Sequence, residues 1–542
     1  MTRPARIAIL ISILAVAIRL IWISQPSVDN WSWRQSDVAA IARNYFQGGF
    51  HFARPQIDWA GNSEGYVGTE FPILPFIAAL CYKMFGIHEW VGRVQALILF
   101  ALSLPFFFLL VRKIFGEIAS VWALSFYSFA PLGIMASRCF MPDMPSLALS
   151  IIGLYFFDRW IDDDGSIRLR QSFGGQASFL VSAVCISLSI LIKLPSVLIG
   201  APLACLAAAA VCDRRIRVIP TGVEESLTIS ETLRDVSTPL DMTDGSHRAP
   251  LQLLVFAAIA LIPAALWYSH AYQISLQFYP HHFFGAGGVQ IMSVGWYMQI
   301  AKLIVTSTLT PLLFVLGVVG AVVTSLRSAP AWQARATPRP RDTARPFHWW
   351  LAVMILFMIV VGYGNRHQWY QLPLIPIFAA FAGAACAFLA TKFASRAAKM
   401  SLSALLLLSF IFLAAVYASR FYQPSAAPLR DAGLKIKALS PADAVVVALD
   451  NGDPTLLYYA ERKGWHFLEK DGIYDGEPKD SAQAIADLDQ LRRRGASYLV
   501  FTSNTAWWLD YYTEFGKHVA AVSTVVDATP EFKIYKLNPV PK

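Results

Sequence analysis

Charge is scarce in this sequence. Only 15% of the 542 residues are Asp, Glu, Lys or Arg, against about 25% in a soluble globular chain. Another 56% are apolar, a share that includes the 13% that are aromatic, and mean hydropathy is +0.48. Water is not the solvent for much of this chain, which excludes a cytosolic enzyme, a disordered scaffold and a nucleic-acid binder. The net charge of +9 fits basic loops beside a membrane. Cysteine is also sparse. The six (Cys81, Cys139, Cys185, Cys205, Cys212 and Cys386) lie mostly inside apolar runs. No Cys-x-x-Cys or Cys/His spacing occurs, so neither a disulfide framework nor a cysteine metal site is expected. A Walker loop, a dinucleotide fingerprint and internal repeats are lacking as well.

Long apolar runs are what the sequence has instead. A membrane-crossing helix needs roughly 20 largely apolar residues. Candidates are Ile7–Ile23, Val94–Val111, Ile118–Met135, Leu147–Phe157, Phe179–Leu191, Val197–Val211, Leu251–Tyr268, Leu303–Leu326, Trp350–Val361, Leu372–Leu389 and Leu402–Tyr417. The first follows Arg3 and Arg6 without a cleavage site and reads as a retained anchor. With the N-terminus inside, these eleven spans put Arg112, Lys113, Arg159, Arg168, Arg170, Arg214, Arg215 and Arg217 on the cytoplasmic side. Arg327, Arg335, Arg339, Arg341, Arg345, Lys392, Arg396 and Lys399 join them, as the positive-inside rule requires. Phe71–Gly86 (FPILPFIAALCYKMFG) has an apolar stretch too short to cross and reads as an interfacial helix. Residues 1–420 then form a membrane domain, with 24–92 as its first outer loop. From 421 to 542 the composition changes. Apolar strands at Ala444–Leu449, Tyr498–Thr502 and Phe532–Leu537, with helical stretches at Thr455–Arg462 and Ser481–Arg494, predict a small extracytoplasmic α/β domain.

Polar groups near a bilayer are costly and mark candidate sites. In the first outer loop, Arg34 and Asp37 sit at the start of a helical run, where Asp37 could be a simple cap. Arg138 and Asp143 share an outer turn, where Asp143 could cap the helix that Pro145 opens. Lys193 follows an apolar run and could merely snorkel. Arg366 and His367 form a cation pair before Trp369 and Tyr370, which an aromatic belt explains. Carboxylates can deprotonate a hydroxyl and arginines can grip phosphate, so their shared outer location suits an anionic lipid headgroup reacting with a hydroxyl. His281 and His282 lack a third ligand, so no metal site is expected.

Several segments then combine into a pattern. These are WRQSDVAAIARNY with Asp37, FPILPFIAALCYKMFG followed by Arg93, Arg138-x4-Asp143, Lys193-Leu-Pro and His367-x2-Tyr370-Gln-Leu-Pro373. In this order they resemble the GT-C superfamily of membrane glycosyltransferases. Within it they are most like the family 39 and 83 branch of protein O-mannosyltransferases and lipid A aminoarabinose transferases. The resemblance implies a polyprenyl-phosphate sugar donor, a glycolipid, polymer or protein acceptor, and a place in the bacterial cytoplasmic membrane, with no added cofactor. It implies Asp37 and Asp143 as the catalytic acids. Arg138, Lys193, Arg366, His367 and Arg34 would hold the donor phosphate, and Trp33, Glu70 and Tyr370 would line the substrate pocket. The family's usual Asp-Glu pair is occupied here by Arg34 and Gln35, and the acid follows at Asp37, leaving Asp29 and Asp58 as alternative bases. A flippase of lipid-linked sugars or a non-catalytic lipid-binding subunit are the other readings. A transporter would set charge at mid-membrane and show inverted repeats, and neither is evident.

Overall fold

The computed structural model describes residues 2–164, 173–218, 248–284, 288–327, 345–470 and 472–540. Arg168, Arg170, Arg335, Arg339 and Arg341, used above to orient the chain, lie outside these residues. Helices dominate the first four-fifths. They are α1 (Arg3–Leu20), α2 (Ser32–Gly48), α3 (Ile73–Phe85), α4 (Glu89–Phe115), α5 (Glu117–Phe129), α6 (Pro131–Ala136), α7 (Asp143–Asp164) and α8 (Phe173–Ile192). After them come α9 (Gly200–Val218), α10 (Arg248–Gln277), α11 (Val294–Leu303), α12 (Pro311–Arg327), α13 (Pro346–Val360), α14 (Leu374–Ala390) and α15 (Arg396–Ser419).

Among the described residues, five helical stretches are long and apolar enough to cross a membrane: Glu89–Phe115, Gly175–Ile192, Leu251–Gln277, Gln368–Ala390 and Arg396–Leu439. Leu254 and Leu266 on α10 and Leu405 and Leu408 on α15 are 63–68% exposed, an outward face suited to hydrocarbon. The chain is a multi-pass membrane protein. α3 is 13 residues, about 20 Å at about 1.5 Å per residue, short of a hydrocarbon core of roughly 30 Å.

Two expected spans are broken. Ile118–Met135 divides at Ala130, because Pro131 starts α6 and biases the preceding residue out of the helical region. Leu303–Leu326 bends by 100° between Val294–Leu309 and Pro311–Leu326. Pro311 has no N–H to continue the ladder, and Thr310 Oγ1 accepts from the N–H of Leu313 at 3.2 Å to start α12.

The bundle packs α7 on α8, α14 between α5 and α12, and α4 on α5 and α7. Gly116, with φ +89°, turns α4 into α5, a conformation that glycine adopts without a Cβ clash. Arg112 and Lys113 end α4 at the favourable end of its dipole, and Lys113 bridges to Asp158 and Asp162 near the end of α7. At the opposite end, α7 begins at Asp143 while α8 stops before Lys193. Lys193 is extended (φ −151°, ψ 105°) and the Leu194-Pro195 step follows. Two neighbouring antiparallel helices thus bring Asp143 and Lys193 together.

The C-terminal unit contains α16 (Ala427–Leu439), β1 (Val446–Leu449), α17 (Thr455–Ala460), β2 (Gly464–His466), β3 (Glu469–Lys470), β4 (Ile473–Tyr474) and α18 (Ser481–Arg493). β5 (Tyr498–Thr502), α19 (Trp508–Tyr511), α20 (Thr513–Val522), β6 (Ser523–Ala528) and β7 (Phe532–Leu537) complete it. The sheet order is β2-β1-β5-β7-β6. β1 is parallel to both β2 and β5, with Val447 opposite Trp465 and Leu499, and β7 is antiparallel to β5 and β6. β1 and β5 are buried along their whole length, as expected of strands covered on both faces. α16 and α17 pack together, and α17 also rests on α2. Fold and docking therefore set the sheet over the helix that carries Arg34 and Asp37.

Candidate active site

Arg34 and Asp37 stand three residues apart on α2 and so share a face. The Arg34 guanidinium is 3.5 Å from Asp37 Oδ2 and its Nη2 donates to both oxygens of Glu70 at 2.7 and 2.8 Å. Glu70 Oε1 lies 3.2 Å from Lys193 Nζ, and the same ammonium is 3.3 Å from Asp143 Oδ1. Asp37, Arg34, Glu70, Lys193 and Asp143 thus form one continuous chain of alternating charge, with every member but Glu70 at most 7% exposed. Removing such charges from water is expensive, so the chain is held by mutual pairing and hydrogen bonds. Glu70, expected as a pocket residue, is the hub joining the two halves.

The simple-cap reading of both aspartates fails on geometry. Asp29, not Asp37, serves the start of α2: its Oδ1 accepts from the Trp31 N–H and from Gln35 Nε2, both at 2.9 Å. Asp37 lies well inside α2, and its Oδ1 accepts from Trp59 Nε1 at 3.0 Å. Burial pushes the Asp37 carboxyl up to about 6, against the pull of Arg34 and the Trp59 hydrogen bond. Asp143 opens α7, yet its buried Oδ2 has no partner among the described residues. Such an orphaned buried acceptor is rare in a folded chain.

The other expected residues divide. Tyr370 is in the site, its ring 5.2 Å from Lys193 Nζ. His367 stacks on Trp369 at 4.5 Å and packs near Trp33 at 5.6 Å. Burial, with the Arg366, Lys193 and Arg34 charges, pushes His367 down to about 3. It is therefore a neutral imidazole rather than the expected cation. Arg366 is exposed, lies over the Tyr363 ring at 3.8 Å and makes no ion pair among the described residues. Arg138 is not part of the charge chain. Its Nη2 donates to the Trp22 carbonyl at 2.7 Å and its guanidinium lies over Tyr422 at 4.8 Å. That hydrogen bond ties it to the connection that follows the first helix. Asp58, an alternative base, is closed into an ion pair with Arg43. No cluster of three metal-binding side chains occurs among the described residues.

Sequence reasoning missed Trp59, which hydrogen-bonds Asp37, and Asp450, Asp453 and His466, which arrive from the C-terminal unit. Asp453 Oδ2 accepts from Ser32 Oγ on α2 at 2.9 Å. The available signal was acids directly following a buried strand, in Leu449-Asp450-Asn-Gly-Asp453.

Two hollows flank the charge chain. A groove of about 480 Å³ empty volume runs from Asp143 and Lys193 past Ser150 and Ser196 to Trp350, Met354 and Phe357. A second of about 340 Å³ is lined by Arg34, Thr69, Glu70, Phe71 and Pro142. The first has Asp143, Lys193 and two serines among lining residues that are otherwise mostly apolar or aromatic.

A helical bundle carries an α/β unit docked over one end, with a buried charge chain that begins on the helix they share. The resemblance read from the motifs holds. Residues 69–220 match the family described as dolichyl-phosphate-mannose-protein mannosyltransferase, a stretch that includes Glu70, Asp143 and Lys193 but not Asp37. ArnT from Cupriavidus metallidurans bound to undecaprenyl phosphate is similar, with a TM-score of 0.60 at 15% identity over 97% of both chains. The Archaeoglobus fulgidus oligosaccharyltransferase in its apo form gives 0.62 at 14% identity, over 94% of this chain and 70% of that one. The archaeal oligosaccharyltransferase AglB from Archaeoglobus fulgidus in complex with an inhibitory peptide and a dolichol-phosphate gives 0.60 at 12% identity, over 99% of this chain and 74% of that one. No curated protein sequence matches the chain.

Proposed function

We propose that this protein transfers a sugar from a polyprenyl-phosphate donor to a hydroxyl acceptor, a glycolipid, polymer or protein, at the outer face of the bacterial cytoplasmic membrane. The observation that carries the reading is the buried Asp37–Arg34–Glu70–Lys193–Asp143 chain, whose Lys193 and Asp143 line a mostly apolar groove. In this reading residues 1–420 cross the membrane eleven times from a cytoplasmic N-terminus, residues 24–92 form the first outer loop, and residues 421–542 lie outside. The undecaprenyl phosphate and dolichol-phosphate bound by the similar structures support a lipid-linked donor here.

The donor's hydrocarbon would occupy the groove beside Met354 and Phe357, with its phosphate at Lys193. Lys193 has three N–H donors, and Glu70 and Asp143 use two of them. Arg366, unpaired among the described residues, supplies further positive charge. Asp37 takes the proton of the acceptor hydroxyl as that oxygen bonds to the anomeric carbon. The bond from this carbon to the phosphate oxygen breaks, and its electron pair leaves with polyprenyl phosphate. Lys193 then stabilises the growing negative charge. The orphaned Asp143 Oδ2 can accept from a donor-sugar hydroxyl. Attack opposite the leaving phosphate inverts the anomeric centre without a covalent sugar–enzyme intermediate.

The test is the full chain in liposomes with a polyprenyl-phosphate sugar, followed for release of polyprenyl phosphate. Release in the wild type and its loss in Asp37→Asn is the expected result. Movement of intact donor across the bilayer without cleavage would establish transport instead.

A further inference from the structure

The carboxyl-terminal edge of the C-terminal sheet faces α2. β1 has β2 on one side and β5 on the other, all parallel, so the chain departs from β1 toward both sides. The carboxyl end of such a strand is a topological switch point, where α/β sheets gather functional side chains. Asp450 and Asp453 follow β1, and His466 ends β2. Here that edge is covered by the membrane domain rather than open. Ser36 Oγ and Thr455 Oγ1 are 3.0 Å apart. The Gly61 N–H donates to the Gly464 carbonyl at 2.7 Å, and the Gly464 N–H to the Asp58 carbonyl at 2.9 Å. The loop carrying Trp59 is therefore stitched to the start of β2, and α2 to the residues after β1.

Trp59 connects this edge to the charge chain. Its Nε1 donates to Asp37 Oδ1. Its ring lies 5.4 Å from the His466 imidazole at 37° and 5.4 Å from His282 at 72°, so two imidazoles hold the indole. His466 Nδ1 is 2.8 and 2.9 Å from the two oxygens of Asp450. His466 is 4% and Asp450 3% exposed, so the pair is dry and rigid.

We propose that His466 and Asp450 are positioning residues for sugar transfer: from the C-terminal unit they fix Trp59, and through its N–H they aim the Asp37 carboxylate at the acceptor hydroxyl. This rests on the transfer reading with Asp37 as base. It makes the C-terminal unit part of the reacting machinery.

The charges around the relay give the inference a pH signature. Asp37 faces Arg34 from its own helix, Glu70 and Trp59 from the first outer loop, and His466 from the C-terminal unit. His466 faces Asp450, Asp453 and Asp37. Burial opposes its positive charge, but Asp450, with Asp453 and Asp37 behind it, outweighs burial and holds the imidazole above the ordinary histidine value. His282, on the other side of the indole, is pushed down to about 4 by burial and by Arg34 and is neutral. Both the His466 charge and the Trp59 hydrogen bond favour ionised Asp37. Removing either moves the ionisation of Asp37, and with it the acid limb of the rate profile, to higher pH.

The experiment measures polyprenyl phosphate release by the full chain in liposomes, from about pH 5 to 8 so that the profile brackets the base. The proteins are the wild type, His466→Gln, Asp450→Asn and Trp59→Phe. The expected result is an unchanged KM for the donor, a kcat lowered about ten- to a hundredfold, as orienting partners typically contribute, and an acid limb displaced upward in His466→Gln and Trp59→Phe. Trp59→Phe keeps an aromatic ring and removes the N–H together with the five-membered ring that bears it, so it decides the matter if His466→Gln fails to fold. An active wild type with variants that retain kcat, or that lose kcat with an unmoved acid limb, would overturn the inference. A wild type that releases nothing would overturn the transfer reading itself, a distinguishable failure.

Discussion

Replacing Lys193 by Met removes the ammonium while keeping most of the chain length. In the native protein Lys193 is within 3.3 Å of both Glu70 and Asp143, and the Lys193, Asp143 and Glu70 side chains are 8%, 5% and 14% exposed. Losing one partner of a buried ion pair typically costs about 3–5 kcal/mol, because the other charge stays buried without compensation. Glu70 keeps Arg34, but Asp143 keeps no direct ion-pair or hydrogen-bond partner for its carboxylate oxygens among the described residues. The expected destabilisation is therefore about 3 kcal/mol, falling mainly on Asp143. Lys193→Met combined with Asp143→Asn should recover much of it, with a coupling of about 0.5–3 kcal/mol. Denaturant unfolding of the detergent-solubilised chain, followed by near-UV circular dichroism, reads this cycle. A single variant within about 1 kcal/mol of wild type, or a double variant no better than the sum of the singles, would refute the buried-chain argument.

Other variants separate the remaining roles. Asp37→Asn should keep the wild-type apparent Tm and lose transfer by at least about a hundredfold, the lower range for a general base. Because burial pushes Asp37 up to about 6, wild-type turnover should fall as pH drops through that value and protonates the base; a flat profile across it would reassign the base. Met354→Trp should fill the groove and raise the donor KM with little change in kcat, read from initial rates across donor concentration. Arg138→Ala should lower the apparent Tm by unfastening the Trp22 carbonyl while leaving the donor KM unchanged.

How much the sequence revealed depended on the length scale of the signal. Helix covers most of each of the eleven apolar runs, because a run of that length needs no neighbour to declare itself. The breaks at Ala130 and Thr310 were written in Pro131 and Pro311, but hydropathy averages over such single residues. β5 and β7 have the expected bounds, Tyr498–Thr502 and Phe532–Leu537. The Tyr498–Thr502 run is continuously buried, whereas Phe532–Leu537 is exposed at Lys533 and Lys536. Gly464–His466 is three residues long and is a strand only because Val446–Ala448 lies beside it. Ser523–Ala528 is an edge strand, mostly exposed, with no apolar pattern.

The site was legible where a local motif fixes a side chain. Lys193-Leu-Pro ends α8 with its lysine at the helix terminus, and Asp143 opens α7. It was illegible where long-range docking decides. Arg138 and Asp143 are five residues apart, yet Arg138 turns to Trp22 while Asp143 turns to Lys193. Trp59 and His466 are separated by about four hundred positions and meet only because the sheet edge lands on α2.

A structure determined with a polyprenyl phosphate bound would weigh most. The expected result is phosphate oxygens within hydrogen-bond distance of Lys193, isoprenoid density along Met354 and Phe357, and Asp37 facing the open side of the headgroup. Phosphate seated at Arg138, or a lipid chain that avoids the groove and leaves the Glu70–Lys193–Asp143 chain untouched, would contradict it.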